Sequence, residues 1–155
     1  MSGPLIDQVI QRIKEASKSY YRLVLIVGLA GSRKTNVIKE VSTLASVPLI
    51  NLNLELSRQM LNLTERKRIL QLPRLVSEIA DKARGKLVLF DNIELLFDVN
   101  LKHDPLRLLQ GLSRNKTVVS TWNGLITDGH LTYAISGHPE YRRYAVRDFL
   151  TVSME

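Results

Sequence analysis

The segment LVLIVGLAGSRKTNVIKEV, residues 23–41, constrains the fold more than any other part of this chain. RLVLIV (22–27) is a nearly continuous apolar run rich in β-branched residues, which predicts a strand buried on both faces, as in a parallel sheet. Beyond the glycine-containing stretch that follows, Val37, Ile38 and Val41 recur at helical spacing, so a helix is expected there. A strand, a loop and a helix in this order indicate an α/β fold.

The loop between this strand and helix, GLAGSRKT (28–35), follows the phosphate-binding pattern GxxxxGK[ST] with one departure. In that pattern the loop backbone and the helix N-terminus face phosphate, the lysine reaches the β and γ phosphates, and the hydroxyl binds Mg²⁺. The alternative is a chance Gly and LysThr in an ordinary turn. The ligands predicted from the loop are ATP and Mg²⁺, with Thr35 on the metal. The expected nucleotide-binding residues are Gly28, Leu29, Ala30, Gly31, Ser32, Arg33, Lys34, Thr35 and Asn36.

Arg33 is the departure, because it stands where the pattern has its last glycine. If the backbone there takes a positive φ, a residue other than glycine costs about 1–2 kcal/mol, which a stable domain tolerates. Three placements of the guanidinium stay open: beside the phosphates, outward in solvent, or inside the pocket.

A second element of a nucleotide site is the apolar run KLVLFD (86–91), which predicts a strand that ends in an acid. Asp91 is expected to bind the Mg²⁺ through water. Many ATPases have a glutamate directly after this aspartate, whereas this chain has Asn92. The nearest carboxylate is Glu94, which is expected either to act as a base or to be a first-turn acid favoured by the helix dipole.

Two further groups of polar residues are candidates for catalysis. Thr121 and Asn123, at the end of the predicted strand TVVST (117–121), are placed to hydrogen-bond a γ-phosphate or its attacking water. Arg142 and Arg143 form a pair from which a neighbouring subunit could present a cation to phosphate. The alternative for this pair is two ordinary surface arginines.

The remaining strands and turns are predicted from apolar runs and turn residues. Strands are expected over 47–52 and 148–152, in addition to those over 22–27, 86–91 and 117–121. TrpAsnGly (122–124) is expected to end the strand before it, AspGly (128–129) predicts a hairpin, and the tail from His138 predicts a short helical turn before the last strand.

Helices are predicted from apolar residues at helical spacing. The first is an amphipathic helix within residues 1–20 that packs on the core. Two helices are expected over 54–84, divided at Pro73, and one or two over 94–112, interrupted where Asp104 reads as an N-cap and Pro105 as the first helical residue.

Strands that alternate with helices predict a single domain over 1–155 with three layers. The fold class is α/β, with a central, mainly parallel sheet of five strands and helices on both faces. A ligand is expected beyond the carboxyl ends of the strands.

Composition excludes several classes of site. The chain has no cysteine, which excludes disulfides, Cys-ligated zinc and thiol catalysis. No apolar run approaches the roughly 20 residues of a membrane helix, and the first residues lack the order of a signal peptide. A cytoplasmic protein without membrane contact is expected.

The charge balance points to anionic partners in general. Lys and Arg number 22 against 15 Asp and Glu, which gives a net charge of +7 and favours polyanions or acidic protein surfaces. A solvated basic surface is the alternative. DNA is only weakly indicated, because no recognition helix or base-reading motif is visible.

Four stretches, GLAGSRKT, LVLFDNIELLF, TVVSTWNG and GHPEYRRY, together resemble the BrxF family of small P-loop proteins from bacterial type III BREX phage-defence systems, and more broadly a reduced AAA+ core. The resemblance implies a cytoplasmic component of a multi-gene system that modifies host DNA and blocks phage replication, with other BREX proteins as partners. It also implies the sheet order 5-1-4-3-2, no C-terminal helical lid, and Arg142 or Arg143 as an arginine finger in a homo-oligomer. Its relatives usually have glycine where this chain has Arg33.

Three functional hypotheses follow. The leading one is a P-loop module that binds ATP and couples nucleotide state to complex or self assembly, with hydrolysis left open by Arg33 and Asn92. The second is a catalytically degenerate scaffold that docks partner proteins. The third is a DNA-binding accessory whose nucleotide site is regulatory.

Overall fold

The computed structural model describes residues 3–134 and 137–154. The helices are α1 (Gly3–Ala16), α2 (Lys34–Ala45), α3 (Leu52–Met60), α4 (Glu65–Asp81) and α5 (Pro105–Leu112), with 3₁₀ turns at Glu94–Phe97 and Val99–Leu101. The strands are β1 (Leu23–Gly28), β2 (Leu49–Asn51), β3 (Leu87–Asp91), β4 (Thr117–Thr127), β5 (His130–Tyr133), β6 (Arg142–Ala145) and β7 (Leu150–Ser153).

The sheet is mainly parallel, so the predicted α/β class is confirmed. Its parallel strands lie in the order β2-β3-β4-β1-β7. The expected count of five strands is wrong, because β5 and β6 add an antiparallel hairpin to the distal half of β4, which makes seven. The hairpin turn itself falls at 128–129, as predicted.

Each face of the sheet is covered, which gives three layers. β1 is fully buried, and its side chains alternate between the two faces as strand geometry requires. Val24 and Ile26 pack against α1 and α2, whereas Leu23, Leu25 and Val27 pack against the other cluster, which contains α3, α4 and α5. The predicted opening helix is confirmed as α1, which buries Ile6 and Val9 against this sheet. In the part of the chain that the structure describes, no helix is long and apolar enough to cross a membrane.

Pro73 does not divide two helices, contrary to the prediction. It lies inside α4, and the break falls earlier, where the Thr64 side chain accepts a hydrogen bond from the Lys67 N–H and starts the helix. A proline inside a helix leaves the carbonyl four residues earlier without its intrahelical donor. Here that carbonyl belongs to Ile69, and it accepts a hydrogen bond from His103 Nε2 at 2.6 Å. A tertiary contact thus replaces the bond that Pro73 removes.

TrpAsnGly does not end the fourth strand. β4 continues through 122–124 to Thr127, and Trp122 is fully buried with its indole N–H donating to the Thr132 carbonyl at 3.0 Å. Gly124 permits this continuation, because a Cβ there would lie 1.7 Å from the Thr132 carbonyl oxygen. The helical turn predicted for the tail is also wrong: 142–145 form β6, which pairs with β5.

The region between β3 and β4 agrees in part with the prediction. Asp104 caps α5 by accepting from the Leu106 and Arg107 N–H groups, and Pro105 is the first helical residue, as expected. The segment from Glu94 to Leu101 forms two short 3₁₀ turns instead of a regular helix.

Candidate functional site

A cleft of about 380 Å³ lies at the carboxyl ends of β1, β3 and β4. The loop after β1, the first turn of α2, the end of β3 and the residues after it, and the middle of β4 all contribute to it. Most of the side chains predicted to carry chemistry line it: Lys34, Thr35, Asp91, Glu94, Thr121 and Asn123. Parallel strands bring these residues together, because their carboxyl ends share one edge of the sheet.

The loop that enters the cleft is tightly folded. Gly28 is buried, and a Cβ at this position would lie 2.5 Å from the Ser32 hydroxyl oxygen and 2.9 Å from Met154, so a larger residue would have to displace these side chains. Arg33 is the residue before α2, and it takes the left-handed conformation, with φ 69° and ψ 26°. This is the conformation that glycine adopts without strain, so Arg33 stores the backbone cost expected from the sequence.

The Arg33 side chain is exposed and lies on the rim of the cleft. Within residues 3–134 and 137–154, its guanidinium makes no hydrogen bond or ion pair. It also borders a second cavity of about 660 Å³, between the start of α1, the first turns of α2 and the end of β7. Of the three placements left open by the sequence, the structure shows the outward one, next to two cavities. Asn36 is exposed and borders both cavities as well.

Lys34 is the buried cation of the cleft, with 6% of the residue exposed. Its ammonium donates to the Leu29 carbonyl at 2.8 Å and to the Ser32 hydroxyl oxygen at 3.3 Å, so the side chain folds back along the loop. Burial lowers the pKa of Lys34 below its usual 10.5, although the carboxylates of Glu94 and Asp91 oppose the shift.

Asp91 is buried, and both of its carboxylate oxygens accept hydrogen bonds. Its Oδ2 accepts from the Thr35 hydroxyl at 2.8 Å, and its Oδ1 accepts from the Thr121 hydroxyl at 2.7 Å and from the Asn92 N–H at 3.0 Å. Asn92 has a φ of 53°, a left-handed conformation that asparagine tolerates better than most residues. These bonds fix the carboxylate beside the first turn of α2.

Glu94 is held by two amides. Its Oε1 accepts from Asn53 Nδ2 at 3.2 Å, and its Oε2 accepts from Asn123 Nδ2 at 3.1 Å. Asn53 also accepts from the Leu95 N–H at 2.8 Å, and its own N–H donates to the Asn92 carbonyl. The sequence interpretation missed Asn53, although a polar residue just after a predicted parallel strand was a usable signal.

Arg142 and Arg143 do not reach this cleft within the chain. Arg142 is half-buried and donates to the His103 carbonyl at 3.2 Å. Arg143 is exposed, with its guanidinium 3.2 Å from His130 Nδ1. Both lie on β6, whose neighbour in the structure is β5.

The carboxylates of the cleft are too few to hold a metal alone. Among the described residues, no group of three or more His, Asp or Glu side chains is arranged to hold a metal ion. Thr35 and Asp91 supply oxygen ligands of the kind Mg²⁺ prefers, and Mg²⁺ is typically held by one or two carboxylates together with phosphate oxygens and water. These residues therefore fit a metal that arrives with a phosphate ligand.

Comparison of this chain with protein-family models, with curated proteins and with solved structures finds no match in any of the three. The chemistry of the cleft is therefore the basis for a proposal about function.

Proposed function

We propose that the cleft binds ATP together with Mg²⁺. The observation that carries this proposal is the meeting of the Lys34 ammonium, the Thr35 hydroxyl and the Asp91 carboxylate in one cleft, directly after a loop that joins a buried parallel strand to a helix. A buried ammonium next to an exposed loop at a helix start suits a phosphate chain.

Each residue has a role that its position supports. The N–H groups of the loop and of the first turn of α2 would face phosphate oxygens, and Lys34 would hold the β and γ phosphates. Thr35 would ligate the Mg²⁺ directly, and Asp91 would hold it through water. When bound, the Mg²⁺ neutralises negative charge on the phosphate oxygens.

Glu94 is the carboxylate placed to accept a proton from an attacking water. Its two amide partners, Asn53 and Asn123, each donate to one of its oxygens and so fix its orientation. Asn123 lies at the end of the section of β4 that pairs with β1, so it can also contact the phosphate that Glu94 would face. We propose that ATP hydrolysis, where it occurs, uses Glu94.

A scaffold that binds nucleotide without turnover is the second candidate function. It is favoured by one observation: both Glu94 carboxylate oxygens already accept an amide hydrogen bond, so neither is free of a competing donor. Arg33 also favours it, because this residue replaces the last glycine of the phosphate-binding pattern, directly before Lys34.

A titration with ATP and with ADP, each with and without Mg²⁺, tests the binding proposal. A ligand that binds only the native state stabilises it by about 2.7 kcal/mol at 100 times its Kd, so the Tm must rise with ligand concentration. Lys34→Ala should remove this rise, and Thr35→Ala should remove its Mg²⁺ dependence. If the wild-type Tm stays constant in millimolar Mg²⁺-ATP and no binding is measured, the proposal is abandoned.

Phosphate release in the same titration separates the two candidate functions. Release that Glu94→Gln abolishes while ATP still raises the Tm supports hydrolysis through Glu94. Binding without release, in both the wild type and this variant, supports the scaffold.

The partners are proposed on the resemblance to BrxF proteins. We propose that the chain works with other BREX proteins and that ATP promotes self-association, with an arginine finger supplied by a neighbour. Arg143 is the more available of the pair, because it is exposed whereas Arg142 is tied to the His103 carbonyl. Light scattering with and without ATP, on the wild type and on Arg143→Ala, tests the self-association. Purification of a tagged copy expressed together with the BREX proteins tests the complex. A protein that stays monomeric with ATP would contradict the self-association, and a tagged copy that co-purifies with no BREX protein would contradict the complex.

A further inference from the structure

Three loops at the pole of the domain opposite the cleft carry much of its positive charge. They are the segments 17–22, 82–86 and 113–116, which directly precede β1, β3 and β4. Because these strands are parallel and adjacent, their starts share one edge of the sheet. Contacts join the segments there: Thr117 N–H donates to the Lys86 carbonyl at 2.8 Å, and Arg22 N–H donates to the Ser113 carbonyl at 2.9 Å.

The three segments contain seven cations and no acid, and we call this surface the basic pole. Its cations are Lys18, Arg22, Lys82, Arg84, Lys86, Arg114 and Lys116. Lys82 lies 3.7 Å from a Glu55 carboxylate oxygen, and Lys116 lies 4.0 Å from one of Asp81. Among the described residues, the other five cations have no ion pair. Five cations without an ion pair in the described chain therefore share the end of the domain away from the cleft.

Two aromatic rings, those of Tyr20 and Tyr21, lie among the cations of the basic pole. Tyr20 is 64% exposed although it is a large ring, and the Arg114 guanidinium lies over it at 4.9 Å from the ring centroid. The Tyr21 ring meets Tyr20 edge-on at 4.8 Å. Next to them is a cleft of about 260 Å³, bordered on its other side by Asp148, Phe149 and Leu150. Asp148 is the acid that borders this cleft, and Arg147 precedes it in the chain.

We propose that the basic pole binds single-stranded nucleic acid. Phosphates are contacted by Lys18, Arg84, Lys86 and Arg114, and an unpaired base stacks on the exposed Tyr20 ring. Uncompensated cations on a common edge, with an exposed aromatic ring between them, are what a phosphate backbone with accessible bases requires. A duplex would not use Tyr20 in this way, since its bases are already stacked. This function is independent of nucleotide binding in the cleft.

Fluorescence anisotropy with a labelled single-stranded oligonucleotide tests the proposal in 50 to 200 mM salt. The test variant is Arg84→Glu/Lys86→Glu, whose side chains are exposed. The matched control is Arg66→Glu/Lys67→Glu, an equal change of charge at two exposed residues in the first turn of α4, with about 22 Å of helix between Lys67 and Lys82. Arg84→Ala/Lys86→Ala replaces the test variant if melting shows that charge reversal unfolds the protein.

The wild type should bind with a Kd of about 1–100 µM near physiological salt. The pole variant should weaken binding at least 10-fold more than the control does. It should also make the negative slope of log K against log salt shallower by about 1.4, because each of the two lost phosphate contacts to a single strand contributes about 0.7. Tyr20→Ala should weaken binding about 5-fold or more. Lys34→Ala should bind the oligonucleotide as the wild type does, even if the cleft binds no ATP.

Four outcomes would overturn the proposal. The first is no binding of the oligonucleotide at 50 mM salt, and the second is an equal loss of affinity in the pole and control variants. The third is duplex binding as tight as single-strand binding, with no effect of Tyr20→Ala. The fourth is tighter binding of anionic lipid vesicles or of an acidic peptide than of the oligonucleotide.

Discussion

Thr35 and Asp91 lie 56 positions apart in the chain and are joined by a hydrogen bond of 2.8 Å from the threonine hydroxyl to Oδ2. This bond ties the first turn of α2 to the end of β3 across the cleft. The other oxygen of Asp91 accepts from Thr121 on β4, so a single buried carboxylate connects three elements of the fold. The residues proposed to hold Mg²⁺ therefore contribute to stability as well.

Removal of the Thr121 hydroxyl should destabilise the protein. Thr121 is 2% exposed and Asp91 6%, so Thr121→Val removes a charge-assisted hydrogen bond in a buried site and should lower the free energy of unfolding by about 1.5–3 kcal/mol. The control is Thr127→Val, the same change at an exposed position of the same strand, which should lie within about 0.5 kcal/mol of the wild type. Urea unfolding measures both. Equal effects of the two changes would contradict this account of Asp91.

Replacement of Lys34 should separate stability from function. Because burial lowers its pKa, the folded state disfavours the charged ammonium, so Lys34→Met should raise the stability of the nucleotide-free protein while it removes the proposed stabilisation by ATP. The unfolded chain binds the proton more tightly than the folded one, so Lys34 makes wild-type stability rise with pH from the lowered pKa up to 10.5. The advantage of Lys34→Met should thus be largest near pH 7 and shrink as pH approaches 10.5. Urea unfolding at pH 7, 8.5 and 10 checks this, and a gap that widens with pH would contradict it.

Arg33→Gly should relieve backbone strain. A left-handed residue other than glycine costs about 1–2 kcal/mol, and the greater freedom of glycine in the unfolded chain offsets about 0.4–1 kcal/mol of the gain. A net stabilisation of about 0.5–1 kcal/mol is expected. Ser46→Gly is the matched control, since Ser46 is also left-handed, with φ 55°, at the other end of α2.

ATP binding and phosphate release by the two glycine variants should show what Arg33 does in the cleft. If Arg33 contacts phosphate, Arg33→Gly weakens ATP binding and Ser46→Gly does not. A gain of phosphate release in Arg33→Gly alone would show that this arginine blocks turnover, and a loss of existing release would place it in the mechanism.

Pro73 and His103 should be energetically coupled. His103→Ala removes the donor to the Ile69 carbonyl and should cost about 1–3 kcal/mol. In a Pro73→Ala background the helix regains the N–H that can bond this carbonyl, so the same change should cost less, with a coupling energy of at least about 0.5 kcal/mol. A double-mutant cycle by urea unfolding measures the coupling. Additive effects would mean that water satisfies Ile69 equally well.

The parts of the fold that the sequence predicts correctly are those that depend on residues close together in the chain. The apolar run of β1, the periodicity of α2 and the AspPro start of α5 each depend on neighbours within a few positions, and each is confirmed. The helix break predicted at Pro73 was wrong, because His103, 34 positions from Ile69, supplies the hydrogen bond that the proline removes. Asn53 has a local signal, its position just after a predicted strand, but its contact with Glu94, 41 positions away, depends on the pairing of β2 with β3 and is not encoded locally.

Gly124 is a residue whose role depends on another part of the chain. In the sequence it reads as a strand end, but in the structure its missing side chain lets β4 and the Thr132 carbonyl approach. In Gly124→Ala the new Cβ would lie 1.7 Å from that oxygen and 3.0 Å from Trp122 Nε1. The backbone must shift, so the variant should lose about 3 kcal/mol or more of stability and change the Trp122 fluorescence.

Gly111→Ala is the control for this change. Gly111 lies within α5, and a Cβ there meets nothing within 4 Å, so alanine should stabilise the helix by about 0.5–1 kcal/mol. Urea unfolding followed by Trp122 fluorescence measures both variants. The opposite signs follow from one structural difference, the carbonyl that faces Gly124, and a Gly124→Ala variant as stable as the wild type would show that β4 does not continue through this residue.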